Sequence, residues 1–431
     1  MNPLRQRLCA AIPPALVPFL ACAILACSSG SASRESAPPV PSVRVCIADF
    51  AGATSVQMQE GAVIETPRGS SVMAQAARLS CALQADGSMA VRAGERDFGR
   101  IEGVFRCYHR NPASTFDIDG KLYPDTLVFA SDGTNMYLVN ILPVERYLES
   151  VVPNEIGRNR KDNEFEAVKA QAIIARTYTM MKIDLPLRRL FDVYADTRDQ
   201  VYTGMLTRTE LSNRAIRETR GQVLTFEGKY AECYFHSTCG GATEAVSLVW
   251  KRPQSKPYLA GVRDRSGEGD FCRISPSYRW SELYTRRDLE ALLRTYLPSA
   301  DESIKASDFA DEAWTLVDMR ILARMPSGRV QQLKITMMSG ARRRSFVLEG
   351  DRIRWALRRT DASSVLRSGL FDLIIDRDAA RMIRTVRIDG GGNGHGIGLC
   401  QWGAIGRARM GIKVGAILRT YFPSTTLALA W

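Results

Sequence analysis

The sequence predicts an α+β protein that is rich in β-strands and carries a few helices. Short alternating segments such as SVRVCIADF and SMAVRAG, punctuated by Gly and Asp, run from residue 43 to about residue 129. A helical pattern follows Asn163, and residues 385–411 are typical of a strand, a Gly-rich loop and a helix. Hydrophobic residues make up 45% of the 431 residues and charged residues 24%, which excludes a wholly disordered chain.

The N-terminus predicts export. Two arginines precede an apolar stretch, and Ile24-Leu25-Ala26-Cys27 resembles the bacterial lipobox. We therefore expect a lipoprotein signal peptide at 1–26, lipidation of Cys27 and a flexible tether at 27–43, rich in Ser, Pro and Ala. These features would anchor the protein to the cell envelope, on its periplasmic or outer surface. A plain cleaved signal with an incidental cysteine is the alternative.

The charge balance favours an anionic partner. The chain has 58 basic and 46 acidic side chains, and its formal charge of +12 falls to +10 without the two arginines of the signal. Export disfavours nucleic acid, so we expect the anionic cell wall or a membrane surface as the partner and no nucleic acid.

Two domains are predicted after the tether. Residues 44–130 read as a small β-rich N-terminal module without an obvious polar constellation. Residues 131–431 read as a second domain with a variable insertion at about 280–383. The cysteines of the first module are expected to be buried or disulfide-paired; they are Cys46, Cys81 and Cys107.

Two helices are predicted at the start of the second domain. Pro143 suits the first turn of a helix over residues 144–151, and Pro153 is expected to end it, because the residue before a proline is pushed out of helical geometry. Glu155 would then lie on a loop, before a second helix with Asn163 as its N-cap.

Glu155 is the candidate general acid. A carboxylate at a helix–loop–helix junction is well placed to be partly desolvated, which raises its pKa. An ordinary surface glutamate is the alternative. On the second helix, Arg176 and Tyr178 flank an apolar stripe and could direct their polar heads into a cleft; an amphipathic helix with a solvated face is the competing interpretation.

A group of cysteines predicts either a metal site or a disulfide. Cys239 follows His236 by three residues, and this pair supplies half of a tetrahedral site. Cys272 and Cys400 could complete it as a Cys3His zinc site. In an oxidising compartment a Cys239–Cys272 disulfide competes with the metal, and the residues alone leave both open.

Two further segments carry candidate structure. Residues 219–236 predict a β-hairpin with a three-residue connection. The Gly-rich run at 390–396 lacks the Lys-Ser/Thr of a phosphate-binding loop, so we expect a turn that brings backbone and His395 close to a ligand. A packed histidine satisfied by backbone groups is the alternative for His395.

Several long segments, in order along the chain, resemble the SpoIID/LytB family of sporulation and cell-wall proteins. They are NILPVERYLESVVPNEIG, EAVKAQAIIARTYT, DTRDQVYTG, TRGQVLTFEGKYAECYFHSTCGGATE, GHGIGLCQWGA and ILRTYFPST. The resemblance covers about residues 136–272 and 384–427. It implies, for the 131–431 domain, a β-rich SpoIID-like fold with a few helices flanking a catalytic cleft.

The resemblance implies an exported lytic transglycosylase, which cleaves peptidoglycan glycan strands whose peptide stems an amidase has removed. The catalytic acid of the family's P-x-E element falls on Glu155 here. The resemblance also implies a cleft lined by Arg176, Gln200, Tyr202, His395 and Gln401.

For the metal, the resemblance implies zinc on His236 and Cys239, with Cys272 as the third ligand. We further predict Cys400 as the fourth ligand, which the resemblance does not imply. Many relatives carry serine in place of Cys239 and Cys400, so we expect the zinc to be structural and not required for the chemistry.

The alternative hypothesis is that the protein has no catalytic activity of its own. It would bind peptidoglycan and stimulate an N-acetylmuramoyl-L-alanine amidase, since related proteins are described as amidase enhancers. The intact Pro-Asn-Glu-Ile element favours the enzyme.

Overall fold

The computed structural model of the protein describes residues 39–185, 190–250, 256–301, 303–309, 314–361 and 364–431. The expected signal peptide, Cys27 and the tether up to residue 38 lie outside the described residues. Residues from Pro39 to Trp431 pack as one unit. None of the helices described is long and apolar enough to cross a membrane.

The first part of this unit is built from short strands in which buried and exposed side chains alternate. The strands are β1 (Ser42–Phe50), β2 (Ala53–Met58), β3 (Ala62–Thr66), β4 (Gly69–Val72), β5 (Ala77–Leu83), β6 (Met89–Ala93), β7 (Arg96–Ile101), β8 (Val104–His109), β9 (Thr115–Ile118), β10 (Lys121–Pro124), β11 (Thr126–Ser131) and β12 (Met136–Pro143). With the later β13 (Val193–Tyr194) they form two sheets, ordered β13-β1-β12-β11-β8-β3-β4 and β10-β9-β2-β5-β6-β7.

The boundary expected at residue 130 falls inside the first of these sheets. β11 pairs with β12 from Thr126 to Ser131, and β1 pairs with β12 as well. Buried side chains before and after the expected boundary belong to one hydrophobic core. Residues 44–130 are therefore packed into the same unit as the helices that follow, rather than as a separate module, because their strands pair with β12.

Helix α1 (Val144–Ile156) continues past Pro153, so the prediction that this proline ends the helix is wrong. An interior proline removes one backbone hydrogen bond. Here the apolar side chains of the last two turns are buried in the core and hold the helix together. The helix ends instead at Gly157, whose φ of 98° suits glycine. Glu155 therefore lies on the last turn of a helix, not on a loop.

Helix α2 (Phe165–Asp184) lies at the centre of the first core. A 3-10 turn, Asp162–Glu164, precedes it. The Glu164 carboxylate accepts a hydrogen bond from the Lys161 backbone N–H, and Glu164 is the N-cap of α2. The prediction that Asn163 is the N-cap is therefore wrong. Every side chain of residues 170–181 is buried. The interpretation of α2 as an amphipathic helix with a solvated face is therefore wrong over this stretch.

The middle of the chain carries short elements around the cysteine-rich segment. They are α3 (Glu210–Glu218), β14 (Gln222–Phe226), β15 (Lys229–Tyr230), β16 (Phe235–His236), α4 (Val246–Val249), β17 (Arg265–Ser266) and β18 (Gly269–Asp270). β14 and β15 form the predicted hairpin, but Glu227 and Gly228 alone connect them, with φ values of 50° and 76°. Two positive φ values are typical of a two-residue hairpin turn, which shortens the predicted connection by one residue.

The region expected as an insertion has a hydrophobic core of its own. Its elements are β19 (Trp280–Thr285), α5 (Arg286–Ala300), β20 (Thr315–Arg324), β21 (Val330–Ser339), β22 (Arg342–Glu349), α6 (Arg352–Ala356), β23 (Phe371–Arg377) and β24 (Ile383–Gly390), in sheets ordered β19-β24-β23 and β20-β21-β22. This second core touches the first where Asp351 N–H donates to the Val249 carbonyl at 3.0 Å. Gly350 is needed at this contact, because any side chain there would collide with the Val249 carbonyl.

The chain then returns to the first core. The elements are β25 (Leu399–Cys400), α7 (Gln401–Arg409), α8 (Val414–Tyr421) and β26 (Thr426–Leu429). The predicted order of strand, Gly-rich loop and helix is confirmed by β24, the glycine run and α7. β25 pairs in parallel with β16, and β26 pairs with β14, so the C-terminal segment completes sheets begun some 200 residues earlier.

A buried ion pair joins α1 to α2. Arg176 is 0% exposed, and its guanidinium contacts both carboxylate oxygens of Glu145, at 3.1 and 2.8 Å. The same guanidinium donates to the backbone carbonyl of Gln222 at 3.1 Å. The resemblance implied that Arg176 lines the cleft. Its guanidinium N–H groups are instead bonded to Glu145 and Gln222, which holds the side chain inside the first core.

We expect Arg176→Ala to lower the free energy of unfolding by about 3–5 kcal/mol, because the Glu145 charge would stay buried without its partner. Urea unfolding followed by circular dichroism measures the change. Arg217→Ala is the matched control, since Arg217 pairs with Glu210 on the surface, with 63% and 79% of the two side chains exposed. Equal losses for both variants would contradict a special role for the buried pair.

Candidate functional site

A cleft of about 940 Å³ opens between the two cores. Clefts of this size are typical of ligand-binding sites. One wall comes from the first core and includes Glu155, Tyr178, Asp199, Tyr234, His236, Trp250 and His395. The other comes from the second core and includes Asp301, Glu349, Asp351, Arg352, Arg354 and Trp355. The sequence did not indicate the second wall, because no recognisable motif marks its residues.

Glu155 reaches the cleft from the last turn of α1. Its Oε1 accepts a hydrogen bond from the Val201 backbone N–H at 2.8 Å. Burial raises the pKa of the Glu155 carboxyl to about 7, and the Val201 N–H offsets part of that effect because it favours the ionised form. A carboxyl with this pKa is poised to hold a proton near neutral pH and to release it.

The segment that follows Asp199 holds the end of α1 in place. The side-chain amide of Asn154, beside Glu155, donates to the Val201 carbonyl at 3.2 Å and to the Thr203 hydroxyl at 3.0 Å. The Thr203 N–H in turn donates to the Ser150 hydroxyl, one turn earlier on α1. The orientation of Glu155 is therefore fixed from a neighbouring segment through backbone groups, which leave no side-chain signature in a sequence.

Tyr178, on α2, borders the cleft. Its hydroxyl donates to Asp199 Oδ1 at 2.6 Å, and the Lys182 ammonium lies 2.7 Å from the same oxygen. Asp199 Oδ2 accepts from the Tyr194 N–H at 2.9 Å. Asp199 is thus committed to partners on the protein, and Tyr178 presents mainly its ring.

His395 also lines the cleft, with both nitrogens engaged by backbone groups. Nδ1 accepts from the Ile397 N–H at 3.0 Å, which leaves Nε2 to carry the hydrogen and donate to the Phe235 carbonyl at 2.9 Å. Burial lowers the pKa of His395 to about 4, so the ring is neutral at physiological pH. Its ring packs against Trp250 with centroids 5.0 Å apart. His395 therefore offers a surface rather than a proton.

His236 lies beside His395, with ring centroids 5.4 Å apart. Its Nδ1 donates to the Ile397 carbonyl at 3.0 Å, which leaves Nε2 as an acceptor. Nε2 has no hydrogen-bond partner among the described residues. Burial holds the pKa of His236 well below its usual range. This neutral ring lines the cleft.

Gln200 and Tyr202 lie behind the cleft and do not line it. Gln200 Oε1 accepts from the Thr179 hydroxyl at 3.0 Å, and the Tyr202 hydroxyl donates to Asn140 Oδ1 at 2.6 Å. Both side chains are almost fully buried, whereas Val201 between them borders the cleft. The two predicted side chains therefore face into the core, whereas Val201 faces the cleft.

Gln401, at the start of α7, is also directed into the core. Its amide donates to Gln171 Oε1 on α2 at 3.2 Å. Arg176 and Gln401, both predicted to line the cleft, are thus held inside the core. These two side chains stabilise the packing behind the cleft instead of lining it.

Three of the four residues expected to bind a metal lie together in the structure, and Asp264 rather than His236 lies beside them. Ligand atoms of Cys239, Asp264, Cys272 and Cys400 lie within 4.8 Å of one another, and all four residues are buried. His236 is not among the residues whose ligand atoms meet here, and its ring borders the cleft. Thiolates with one carboxylate are a donor set that suits zinc.

The competing disulfide is not formed in this structure. The Sγ atoms of Cys239 and Cys272 lie 3.5 Å apart, well beyond an S–S bond of about 2.05 Å. Every cysteine of the described residues is a buried free thiol, including the three in residues 44–130.

Two sequence profiles match the chain. Residues 132–226 match that of the stage II sporulation protein SpoIID. Residues 272–398 match a domain of unknown function, DUF8618, and contain the second core.

Three relatives cover most of this sequence. An uncharacterised protein of Brachyspira hyodysenteriae is 30% identical over 71% of this chain and 72% of its own. The amidase enhancer of Bacillus subtilis is 29% identical over 65% of this chain, which spans 40% of that longer protein. Stage II sporulation protein D of Bacillus subtilis is 25% identical over 68% of this chain and 76% of its own. The chain therefore belongs to the SpoIID/LytB family.

Proposed function

We propose that this protein is an exported, lipid-anchored lytic transglycosylase that cleaves peptidoglycan glycan strands lacking peptide stems. The observation that carries the proposal is Glu155, a partly buried carboxyl with a pKa of about 7 at the wall of a large cleft. Membership of a family with cell-wall and sporulation proteins supports an envelope location and a peptidoglycan substrate.

In the first step Glu155 acts as the acid. The Val201 N–H occupies Oε1, which leaves Oε2 to carry the proton. Oε2 donates this proton to the glycosidic oxygen while the bond from that oxygen to C1 of the sugar breaks. Positive charge develops on the sugar ring as the bond lengthens.

In the second step Glu155 acts as the base. The carboxylate takes the proton of the substrate's own C6 hydroxyl, whose oxygen attacks C1 and closes a 1,6-anhydro ring. One bond to C1 breaks and one forms, no water is consumed, and Glu155 regains its proton. Neither a second carboxylate nor a metal takes part, which distinguishes this reaction from hydrolysis by a pair of carboxylates.

The aromatic residues of the cleft are suited to sugar rings. Trp355 from the second core is 49% exposed, although large apolar side chains are usually covered. Tyr234 and Trp250 on the opposite wall pack edge to face, 4.8 Å apart. The apolar faces of pyranose rings pack well against such surfaces. The chain's charge of +12, which falls to +10 without the two arginines of the signal, suits the anionic wall.

The second candidate function is a non-catalytic peptidoglycan-binding protein that stimulates an N-acetylmuramoyl-L-alanine amidase. The observation that favours it is the similarity to a protein named amidase enhancer. It needs the cleft as a glycan-binding surface, but it does not need the elevated pKa of Glu155.

We expect the full chain, purified in detergent, to release anhydro-muropeptides from amidase-treated peptidoglycan, detected by mass spectrometry. Glu155→Gln should reduce the rate by about 10²–10⁴-fold, because the amide keeps the Val201 hydrogen bond but cannot donate the proton.

Glu149→Gln is the matched control, because Glu149 lies on the same helix and pairs with Arg208. Its rate should equal that of the wild type. Product from Glu155→Gln at the wild-type rate would show that another group is the acid. A wild type that forms no product yet stimulates an amidase would favour the second function.

The activity should depend on pH through Glu155. A general acid must be protonated, and the raised pKa keeps Glu155 protonated up to about pH 7, instead of the ordinary 4.5. We expect kcat/KM to fall about tenfold per pH unit above pH 7. Initial rates of product release between pH 5 and 9 test this. A decline that begins near pH 4.5 would mean that the acid is an exposed carboxyl.

Trp355→Ala should raise KM for glycan strands by about tenfold, the effect of losing one aromatic contact of about 1.4 kcal/mol, with kcat changed much less. Leu322→Ala is the control, because Leu322 is 50% exposed on the same core and does not line the cleft. Product assays over a range of glycan concentrations separate the two constants. An unchanged KM in Trp355→Ala would exclude this side chain from substrate binding.

A further inference from the structure

Three separate segments bring sulfur and oxygen ligands to one buried point. Cys239 follows β16, Asp264 and Cys272 flank the β17–β18 hairpin, and Cys400 ends β25. All four side chains are 0% exposed, and their ligand atoms lie within 4.8 Å of one another. A buried carboxylate requires hydrogen bonds, a cation or a metal ion to offset the loss of water.

We propose that Cys239, Asp264, Cys272 and Cys400 bind one zinc ion in a closed structural site, with Asp264 in the position that the sequence had assigned to His236. Zn–S bonds of about 2.3 Å in a tetrahedron place sulfur atoms about 3.8 Å apart. The observed separation between Cys239 Sγ and Cys272 Sγ is 3.5 Å. Four protein ligands leave no open coordination position, which is the pattern of structural zinc.

The carboxylate of Asp264 is oriented for this role. Its Oδ1 accepts from the Tyr421 hydroxyl at 2.7 Å and from Arg407 at 3.0 Å. Its Oδ2 lies 3.3 Å from Cys239 Sγ, on the side of the cysteines. Outer partners that hold one oxygen and leave the other for the metal are typical of zinc ligands. Gly403 is required beside it, because a side chain there would collide with Asp264 and Tyr421.

Backbone N–H groups surround the sulfur atoms. Cys400 Sγ accepts from the N–H of Cys239 at 3.1 Å and from that of Gly403 at 3.2 Å. Cys239 Sγ accepts from the Gly241 N–H at 3.4 Å. Outer hydrogen-bond donors of this kind are typical of the surroundings of metal ligands.

Cations balance the negative charge of the site. Three thiolates and a carboxylate around a divalent ion leave a net charge of about −2. The buried Arg407 contacts Asp264, and the buried Arg329 donates to the Cys239 carbonyl at 2.8 Å. Two nearby positive charges therefore match the excess, as a buried charged group requires.

The site would hold the wall of the cleft together without touching substrate. β16 carries His236, and β25 pairs with it residue for residue, so zinc joins the two strands through Cys239 and Cys400. The hairpin bearing Asp264 and Cys272 is the third segment fixed by the ion. This role is the same for an enzyme and for a non-catalytic binding protein, so the inference does not depend on the proposed reaction.

The test is the zinc content of the full chain, purified in detergent without chelator and measured by plasma mass spectrometry. We expect about one zinc per chain. His236→Ala should keep its zinc, whereas Asp264→Ala should lose more than half of it. Asp264→Cys should restore binding, since a fourth thiolate also suits zinc, and this variant guards against a simple failure of Asp264→Ala to fold.

Two further measurements do not depend on activity. Cobalt added to the chelator-treated protein should give thiolate-to-metal charge-transfer absorption, which Cys272→Ser should diminish. Removal of zinc should lower the midpoint of thermal unfolding. Loss of zinc in His236→Ala but not in Asp264→Ala would overturn the ligand assignment. Zinc-free protein in which peptide mapping finds a Cys239–Cys272 disulfide would overturn the metal site itself.

Discussion

The positive charge of Arg176 lies at the centre of the first core, and the packing around it depends on neutralising that charge. Glu145 supplies both carboxylate oxygens, which fixes the first turn of α1 against α2. A helix is a rigid rod with a rise of about 1.5 Å per residue, so fixing its first turn also sets where its last turn lies, about 15 Å farther on. Glu155 occupies that last turn. The position of the proposed acid is thus determined by a charge pair that never meets the substrate.

Glu155 differs in its partners from Asp199 and His395, two other titratable groups that border the cleft. Asp199 is paired with Lys182 and Tyr178, and His395 uses both ring nitrogens on backbone groups. Among the described residues, Glu155 accepts a hydrogen bond at Oε1 from the Val201 N–H. Burial without a neutralising cation raises its pKa to about 7, which is the condition for a single group to act first as an acid and then as a base.

The sequence predicted most of what depends on local pattern and little of what depends on distant contacts. Alternation predicted the strands, and the glycine run predicted the loop before α7. Pro153 was misjudged because burial of the last turns of α1 outweighs one lost hydrogen bond, and burial cannot be read from local spacing. Asp264 was missed for the same reason, since no motif spacing links it to the cysteines that it joins.

The two-stranded ladder of β16 and β25 connects the cleft to the cysteine site. His236 borders the cleft from β16, while its partner in the ladder, Cys400, belongs to the cysteine site and caps α7. The ring of His236 borders the cleft, and its ligand atoms are not among those that lie within 4.8 Å of one another at the cysteine site. The buried carboxylate of Asp264 takes its place among the thiols. In the proposed arrangement the cysteine site stabilises the wall of the cleft, whereas the proposed chemistry belongs to Glu155 on the other side of the ladder.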